Sequence, residues 1–344
     1  MKIINDINRG GLNKTYVLNG FCQFECTDSE KKRLLNFLVF TQGKEMSDSD
    51  FWSALLDDSF VAFSKNKISL LSGNHFGHGK EIYFWNNYYS SVFQFFYDFL
   101  RNTYNKFKNY FKHKNNGRNW FFYNKRKKII LKSLTKNELN FDENLYKLNP
   151  DRYLDYFYTL NSVEEKFNSK INLLEIGAGL SCSALILYQN KKLNKFINID
   201  LPNQIIVSFL ILSCYTDLKI ALPHEVNDKN LNDYDVLLLL PDQKELIQND
   251  TIDLAINVSS FQEMNIEVVN DYLDFIGRKL IKNKSLISVN QISSKYINNN
   301  NIKNYNLNSF RTILENENIP SEINNLFIKR EPLFKRKILK LQKI

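Results

Sequence analysis

The carboxyl-terminal half of the chain alternates short apolar runs with helical patterns. The apolar runs are residues 171–176, 196–199, 236–240, 252–258 and 285–289. The helical patterns between them span residues 181–188, 202–214 and 267–281. Runs that are apolar throughout are typical of parallel strands buried on both faces of a sheet. The alternation therefore predicts an α/β fold, with a Rossmann-like sheet that carries helices on both faces.

The first 149 residues follow a helical period instead. Apolar and aromatic side chains recur every three or four positions along residues 92–110, and shorter patterns of the same kind span 30–40 and 51–63. This spacing places the side chains on one face of a helix. The sequence thus predicts two domains, a mainly helical N-terminal domain over residues 1–149 and an α/β domain over residues 150–344.

Two glycines follow the first predicted strand, in the stretch LLEIGAGLS from Leu173 to Ser181. Gly177 permits a tight turn, and Gly179 lets the backbone approach a ligand. Asp200 stands 21 positions after Gly179, at the end of the second predicted strand, where an acidic residue can bind ribose hydroxyls. In doubly wound sheets ligands bind at the carboxyl ends of the strands. The spacing predicts a nucleoside-containing cofactor at this turn.

The residues around the glycines favour S-adenosylmethionine (SAM) over NAD. A dinucleotide fingerprint needs Gly or Ala where Cys182 stands. Glu175 precedes the first glycine by two positions, and a carboxylate there attracts the cations of SAM but repels a pyrophosphate. Ala178 and Leu201 are predicted to complete the contacts. Two structural alternatives stay open: Glu175 caps backbone amides, or Asp200 is only a helix N-terminal charge.

The loops after the third and fourth strands are the next candidates. Asp242 and Gln243 follow the third strand, where we expect the adenine to be held. Asn257 ends the fourth strand and is predicted to contact the cofactor. The loop beyond it contains Ser260 and Glu263, whose spacing also fits a capping box that begins a helix and needs no chemistry.

Four segments together resemble a known family. They are LLEIGAGLS, INIDLP (197–202), IDLAINVSSFQEM (252–264) and the segment 149–153 before the first strand. In these segments the chain is similar to the bacterial sugar O-methyltransferases of the class I SAM-dependent methyltransferase superfamily. The resemblance covers about residues 150–289. The chain departs from that pattern at Leu180 and Ser181, where the family often has further glycine or aromatic residues.

The resemblance implies that SAM is the methyl donor and that a carbohydrate hydroxyl is the acceptor. The acceptor would be a nucleotide sugar or a lipid-linked glycan in capsule or lipopolysaccharide biosynthesis. By motif match the cofactor would be held by Glu175, Gly177, Gly179 and Asp200. The acceptor side would contain Ser260, Gln262 and Glu263. The N-terminal domain, which lies outside the sheet, would take part in acceptor recognition.

A sugar hydroxyl is a poor nucleophile and benefits from a general base. Glu263 is the first candidate because its loop faces the expected methyl position, and His224 after Pro223 is the second. His75 and His78 lie in a loop with three glycines, which we expect to close over the substrate. The sequence offers no third ligand beside these two histidines, so no metal site is predicted.

A formal net charge of +9 suits an anionic partner. Basic residues concentrate at 106–128 and 329–343, which are predicted to be solvated faces, and peripheral contact with an anionic membrane stays open. A nucleic-acid acceptor is an alternative, but the loop after the fourth strand lacks the Asn/Asp-Pro-Pro-aromatic run of amino-methylating enzymes. A non-catalytic partner subunit with a SAM-binding fold is another. The oligomeric state is left open.

The composition indicates a cytoplasmic protein. The four cysteines show no metal-ligand spacing, and a chain of this length does not need a disulfide framework, so reduced thiols are expected. The N-terminus lacks the apolar segment of a signal peptide. The most apolar stretch, residues 91–100, is far shorter than the roughly 20 residues that span a bilayer.

Overall fold

The computed structural model describes residues 21–42, 59–63, 67–72, 139–148, 150–161, 167–291, 301–316 and 336–344. A mixed sheet of eight strands in the order β10-β11-β9-β8-β4-β5-β7-β6 forms its centre. The strands are β4 (Ile171–Ile176), β5 (Leu193–Ile199), β6 (Ile220–Ala221), β7 (Val236–Leu239), β8 (Ile252–Val258), β9 (Leu280–Gln291), β10 (Phe310–Asn316) and β11 (Arg336–Lys343). Elements are numbered along the described residues.

Strands β4 to β9 are parallel, and the strand order reverses at β4. From β4 the chain builds β5, β6 and β7 on one side, then returns to add β8 and β9 on the other. This is the order of a Rossmann-like doubly wound sheet, whose ligand crevice lies at the reversal, between the carboxyl ends of β4 and β8. The predicted α/β fold class is confirmed.

Helices cover both faces of the sheet because the parallel strands are apolar on both sides. The helices α4 (Cys182–Gln189) and α5 (Pro202–Tyr215) pack on the face that contains Leu173. The helix α6 (Ile266–Lys279) packs on the opposite face, against Leu174. The change of face between α5 and α6 accompanies the reversal of strand order and opens the crevice.

The basic tail belongs to the sheet. β11 pairs antiparallel with β9 on one side and β10 on the other, and its Ile338 and Leu341 are buried. Even Lys340 is only 3% exposed. The prediction of a solvated face is therefore wrong for residues 336–343, because burial of the apolar side chains and two backbone ladders outweigh the local basic charge.

The described N-terminal residues contain three strands as well as helices, and the predicted mainly helical N-terminal domain stays a prediction. β1 (Phe21–Glu25), β2 (Ser59–Phe63) and β3 (Lys67–Ser72) form an antiparallel sheet in the order β1-β3-β2. The predicted helix over 51–63 is thus a strand from Ser59 onward. The aromatic and β-branched content of that segment suits a strand, and the pairing with β3 overrides the weak helical period. The predicted helix over 92–110 lies outside the described residues.

The predicted helix over 30–40 is present as α1 (Asp28–Thr41), which begins with a capping box between Thr27 and Glu30. Arg33 of α1 donates two hydrogen bonds to the carboxylate of Glu225, both 2.6 Å long, and one to the carbonyl of Ile220. These bonds fix α1 to the loop after β6.

The helices α2 (Glu143–Leu148) and α3 (Pro150–Asn161) precede the sheet and share the core that contains α1. Tyr153 and Phe157 of α3 stack on each other, and Phe141 packs edge-on against both. The domain boundary at residue 149 stays a prediction. Among the described residues, no helix combines the length and apolar character needed to cross a membrane.

Candidate active site

A pocket opens at the reversal point of the sheet. Its turn side consists of the glycine turn after β4 (Gly177, Ala178 and Gly179) and of Asp200 after β5. Its helix–loop side consists of Arg152 and Tyr156 on α3 and of Ser259, Ser260 and Glu263 after β8.

The glycine turn has left-handed backbone at Gly177 (φ 75°) and Gly179 (φ 52°). A Cβ atom on Gly177 would lie 2.2 Å from the Oγ of Ser260, far inside van der Waals contact. Two features therefore require glycine at position 177: its positive φ and the close approach of the loop after β8. The second requirement depends on a residue 83 positions away (260 − 177) and is not visible in the motif.

Two buried polar residues behind the turn hold its backbone, and the sequence analysis missed both. The Oδ1 of Asn198 accepts a hydrogen bond from Ala178 (3.3 Å), and the Oγ of Ser208 donates one to the carbonyl of Gly179 (2.7 Å). Asn198 also donates to Ser208 (3.0 Å). The sequence could have indicated both, because each is a polar residue inside an otherwise apolar strand or helix. Such a residue must satisfy its hydrogen bonds within the core.

Asp200 faces the pocket in a fixed orientation. Its Oδ2 accepts a hydrogen bond from the amide of Gly179 (3.0 Å), and its Oδ1 accepts one from the amide of Leu201 (2.9 Å). Burial raises the pKa of Asp200 to about 7, and these hydrogen bonds act against the rise. The carboxylate thus bridges the glycine turn and the start of α5, within reach of a ligand. Leu201 contributes its amide to this bridge and its side chain is not part of the pocket wall.

Glu175 lies directly behind the glycine turn and is fully buried. Ser183 donates a hydrogen bond to its Oε2, whereas its Oε1 has no hydrogen-bond partner among the described residues. Burial raises the pKa of Glu175 to about 7; hydrogen bonds from Ser183 and Tyr156 oppose the rise, and the charge of Asp200 adds to it. Both hydrogen bonds come from side chains, so the alternative that Glu175 caps backbone amides is not supported.

The loop after β8 carries strain at the pocket. Ser259 has a left-handed backbone (φ 65°), which is costly for a residue other than glycine. It is only 3% exposed, and its Oγ has no hydrogen-bond partner among the described residues. The amide of Ser259 donates to the carbonyl of Val289 (2.8 Å), which holds the residue at the end of β9. Strain and an unsatisfied hydroxyl at a pocket wall are typical of functional positions.

Ser260 and Glu263 both line the pocket, but they do not form a capping box. The side chain of Ser260 makes no capping hydrogen bond, and the amide of Glu263 binds the backbone carbonyl of Ser260 in a short 3₁₀ turn. The helix α6 begins three residues later, with Asn265 as its N-cap. The capping-box alternative is wrong, because the chain turns once more before the helix starts.

Asn257 lies behind the pocket wall rather than in it. It is fully buried; its Nδ2 donates to the carbonyl of Ile176 (2.9 Å), and its Oδ1 accepts from Asn290 (2.8 Å) and from the amide of Phe261 (3.2 Å). These bonds join the ends of β4, β8 and β9. The prediction of a direct cofactor contact is corrected: Asn257 positions the loop that lines the site. Gln262 is also buried outside the wall, and its amide binds Asn290 (3.2 Å).

The residues predicted to hold the adenine lie outside the pocket wall. The side chain of Gln243 donates to the carbonyl of Pro223 (2.8 Å) and accepts from the amide of Leu240 (3.1 Å). Gln243 therefore ties the loop after β7 to the loop after β6. Asp242 is exposed. We correct both assignments, because the side chain of Gln243 is engaged in a structural contact and neither residue lines the pocket.

His224, the second candidate base, does not line the pocket. Its ring packs against Phe37 and Phe40 of α1, with centroid distances of 6.3 and 6.2 Å. Burial lowers the pKa of His224, and the neighbouring Glu225 acts against this. The imidazole helps α1 to dock on the loop after β6, so its assignment as a base is corrected. His75 and His78 lie outside the described residues, as does the basic stretch 106–128.

Arg152 and Tyr156 are two of the pocket residues that the sequence analysis did not assign; the others are Leu180, Gln204, Val258 and Ser259. Arg152 and Tyr156 stand four positions apart and share one face of α3. Burial raises the pKa of Tyr156 well above its usual value, and the charge of Glu175 adds to the rise. The sequence offered one signal: two side chains that end in polar groups stand four positions apart, each next to a residue of the buried pair Tyr153 and Phe157. Only the packing of α3 against α4 brings them to the pocket that the glycine turn lines.

No family model matches the chain, and no curated protein matches it. Among solved structures it is similar to the methyltransferase in a complex with the Haloferax volcanii Trm112 methyltransferase activator, at 12% identity over 57% of this chain and 92% of that chain (TM-score 0.40). A TehB-like SAM-dependent methyltransferase from Corynebacterium glutamicum also matches at 12% identity, over 51% and 82% (TM-score 0.34). A mutant of MtNAS in complex with S-adenosylmethionine matches at 12% identity over 64% and 70% (TM-score 0.36). The likeness at this identity concerns the fold.

The strand order, the switch of helices between faces and the position of the pocket together define the fold class. The chain has a Rossmann-like doubly wound fold, with its pocket at the carboxyl ends of the parallel strands.

Proposed function

We propose that this protein is a SAM-dependent methyltransferase that transfers a methyl group to a sugar hydroxyl. The observation that carries the proposal is the paired placement of Asp200 and Glu175. One carboxyl group faces the pocket at the end of β5, and the other lies behind the glycine turn at the end of β4. Two buried carboxyl groups around one turn favour a cationic ligand and disfavour a pyrophosphate.

The residues present fit SAM. Its ribose hydroxyls would donate hydrogen bonds to Asp200, which the amides of Gly179 and Leu201 already hold in place. Its ammonium would be favoured by the charge of Glu175, whose Oε1 is without a partner among the described residues. When bound, SAM supplies a methyl group activated by the adjacent sulfonium. Since the methyl group is already activated, the protein contributes mainly by positioning the two substrates.

Glu263 is the proposed general base. It lines the pocket on the helix–loop side, at the end of the 3₁₀ turn that follows Ser260. A carboxylate in this position can accept the proton of an acceptor hydroxyl as the oxygen attacks, which typically accelerates such a step by about 10²–10⁴-fold. Ser260 lies beside it and can hydrogen-bond the acceptor.

The proposal of a sugar acceptor rests on the segment 252–264, which resembles the corresponding segment of the bacterial sugar O-methyltransferases. The chemistry of the pocket is compatible with that acceptor, because hydroxyl and carboxylate groups on the loop after β8 suit a polyhydroxylated substrate. A nucleotide sugar or a lipid-linked glycan would also use the net charge of +9, since the phosphates would supply binding energy away from the reacting hydroxyl.

Calorimetric titration with SAM and with its demethylated product tests the cofactor proposal. We expect micromolar binding to the unaltered protein, and loss of binding in Asp200→Asn, which preserves the shape of the side chain, and in Gly179→Trp, which fills the turn. Asp228→Ala, which removes an exposed carboxylate outside the pocket, is the matched control and should bind normally. Absence of binding to the unaltered protein would refute the proposal.

The acceptor proposal needs its own test. Transfer of a labelled methyl group from SAM to a panel of nucleotide sugars and oligosaccharides should identify a sugar substrate, and Glu263→Gln should abolish the transfer without preventing SAM binding. Transfer to RNA or DNA in preference to every carbohydrate would instead support the nucleic-acid alternative.

A further inference from the structure

The pocket presents an electrostatic problem for the ligand proposed above. Asp200 and Glu263 line it and Glu175 lies behind it, so its wall is rich in carboxyl groups. SAM carries two cationic groups, which suit this wall, and one anionic group, the carboxylate of its methionine half. A carboxylate taken out of water without a cationic or hydrogen-bonding partner costs several kcal/mol. The pocket must therefore contain a group that receives it.

Arg152 is the cationic side chain among the described residues of the pocket wall. It lies on α3, whereas Asp200 follows β5 on the turn side of the pocket. Burial lowers the pKa of Arg152, and the neighbouring Tyr156, Asp155 and Glu263 act to raise it. Asp200, by contrast, interacts with Gly179, Leu201 and Asn198.

Glu175 interacts electrostatically with both Asp200 and Arg152. Burial raises its pKa most, the charge of Asp200 adds to the rise, and the charge of Arg152 opposes it. Both side chains are therefore near Glu175, which lies directly behind the glycine turn. A ligand that lies across the glycine turn with its ribose at Asp200 extends its other end toward α3.

We propose that Arg152 binds the carboxylate of the methionine half of SAM and so selects the full cofactor over analogues that lack this group. A guanidinium presents two parallel N–H groups that match the two oxygens of a carboxylate, which makes the pair directional as well as charged. Tyr156, one turn further along α3, lines the wall next to it. The inference rests on the proposed cofactor and adds the group that fixes its polar end.

The test compares two ligands that differ only in the carboxylate, SAM and decarboxylated SAM. Calorimetric titration of the unaltered protein should show tighter binding of SAM. Arg152→Gln should weaken SAM binding by about 10–100-fold, the usual cost of losing hydrogen bonds to a charged group, and leave decarboxylated SAM within about threefold. Arg152→Lys keeps the charge but not the paired donors, so its affinity for SAM should lie between that of the unaltered protein and that of Arg152→Gln.

Arg278→Gln is the matched control, because Arg278 pairs with Glu245 on the surface, away from the pocket wall. It should bind both ligands normally. Thermal unfolding of each variant without ligand shows whether a loss of binding reflects a loss of folding.

The outcomes separate the inference from the proposal beneath it. If the unaltered protein does not bind SAM, the proposed cofactor is wrong. If the unaltered protein binds SAM and Arg152→Gln binds SAM equally well, the proposed cofactor stands and the inference is overturned. The inference is also overturned if the variant binds SAM and decarboxylated SAM more weakly to the same extent. An unchanged affinity for SAM with a raised KM for the acceptor would place Arg152 in acceptor binding instead.

Discussion

The turn side of the pocket consists of residues from one short stretch of chain, 177–200, whose backbone amides and side chains hydrogen-bond one another. The helix–loop side joins Arg152 to Glu263, which are 111 positions apart (263 − 152). On the turn side the chain itself fixes the geometry over a strand, a turn and a helix. On the helix–loop side the geometry depends on how α3 packs against α4 and on how Asn257 holds the loop after β8. Substitutions in the two regions should therefore fail in different ways.

The largest effect is expected from Glu263→Gln on the helix–loop side. Removal of the proposed base should lower kcat by about 10²–10⁴-fold and remove the acidic limb of the pH profile of kcat, because the amide cannot accept a proton. SAM affinity and thermal stability should change little. Methyl transfer to the acceptor found in the screen provides the measurement. A variant with normal kcat would show that Glu263 is not the base.

Gly177→Ala should have the next largest effect, because it breaks the junction between the two sides. The positive φ and the contact with Ser260 together should lower the free energy of unfolding by about 2–4 kcal/mol, measured by urea denaturation.

The double variant Gly177→Ala with Ser260→Gly separates these two causes. Removal of the Ser260 side chain takes away the atoms at 2.2 and 2.5 Å but leaves the strained φ, so about half of the lost stability should return. No recovery would mean that the backbone strain alone explains the requirement for glycine.

The turn side should also respond to pH. Glu175 and Asp200 have pKa values of about 7, raised by burial from ordinary values of 4.5 and 3.8. Between pH 4 and pH 7 the folded protein therefore holds more protons than the unfolded chain, so the stability of the unliganded protein falls as pH rises through this window. Thermal unfolding between pH 5 and 8.5 measures this trend.

Bound SAM should reverse the trend, because its ammonium and ribose hydroxyls favour the ionised carboxylates. The increase in melting temperature caused by SAM should then grow from pH 6 to pH 8. In Glu175→Gln combined with Asp200→Asn both pH effects should disappear. An increase in melting temperature that is independent of pH would contradict the assignment of these carboxyl groups to the cofactor.

The smallest effect is expected at Ser259. Ser259→Gly relieves a left-handed backbone, at a cost of about 1–2 kcal/mol for most residues, but gives the unfolded chain more entropy, so a net gain in stability of about 0.5–1 kcal/mol is expected. Ser259→Ala keeps the strain and removes the hydroxyl. If both variants fold well but bind the acceptor weakly, the unsatisfied Oγ of Ser259 serves the substrate. Normal acceptor affinity in both would make the strain a structural feature.

The sequence by itself determined the strands and helices around the glycine turn and one side of the pocket. Strands that are apolar throughout and alternate with helices favour a parallel sheet covered on both faces. The spacing of Glu175, Gly177, Gly179 and Asp200 brings them to adjacent strand ends in any such sheet, since the motif and its geometry lie on the same short segment. This is why the turn after β4 was found from the sequence.

The tertiary structure alone decided the rest. Residues 336–343 look like a basic tail, yet pairing with β9 and β10 makes them an inner strand, because a strand's partners are not encoded in its own composition. His224 and Gln243 look like site residues, yet packing commits them to α1 and to Pro223. The sequence did not assign Arg152 to the pocket. Its place there arises from α3 packing against α4, a tertiary contact that sequence spacing cannot show.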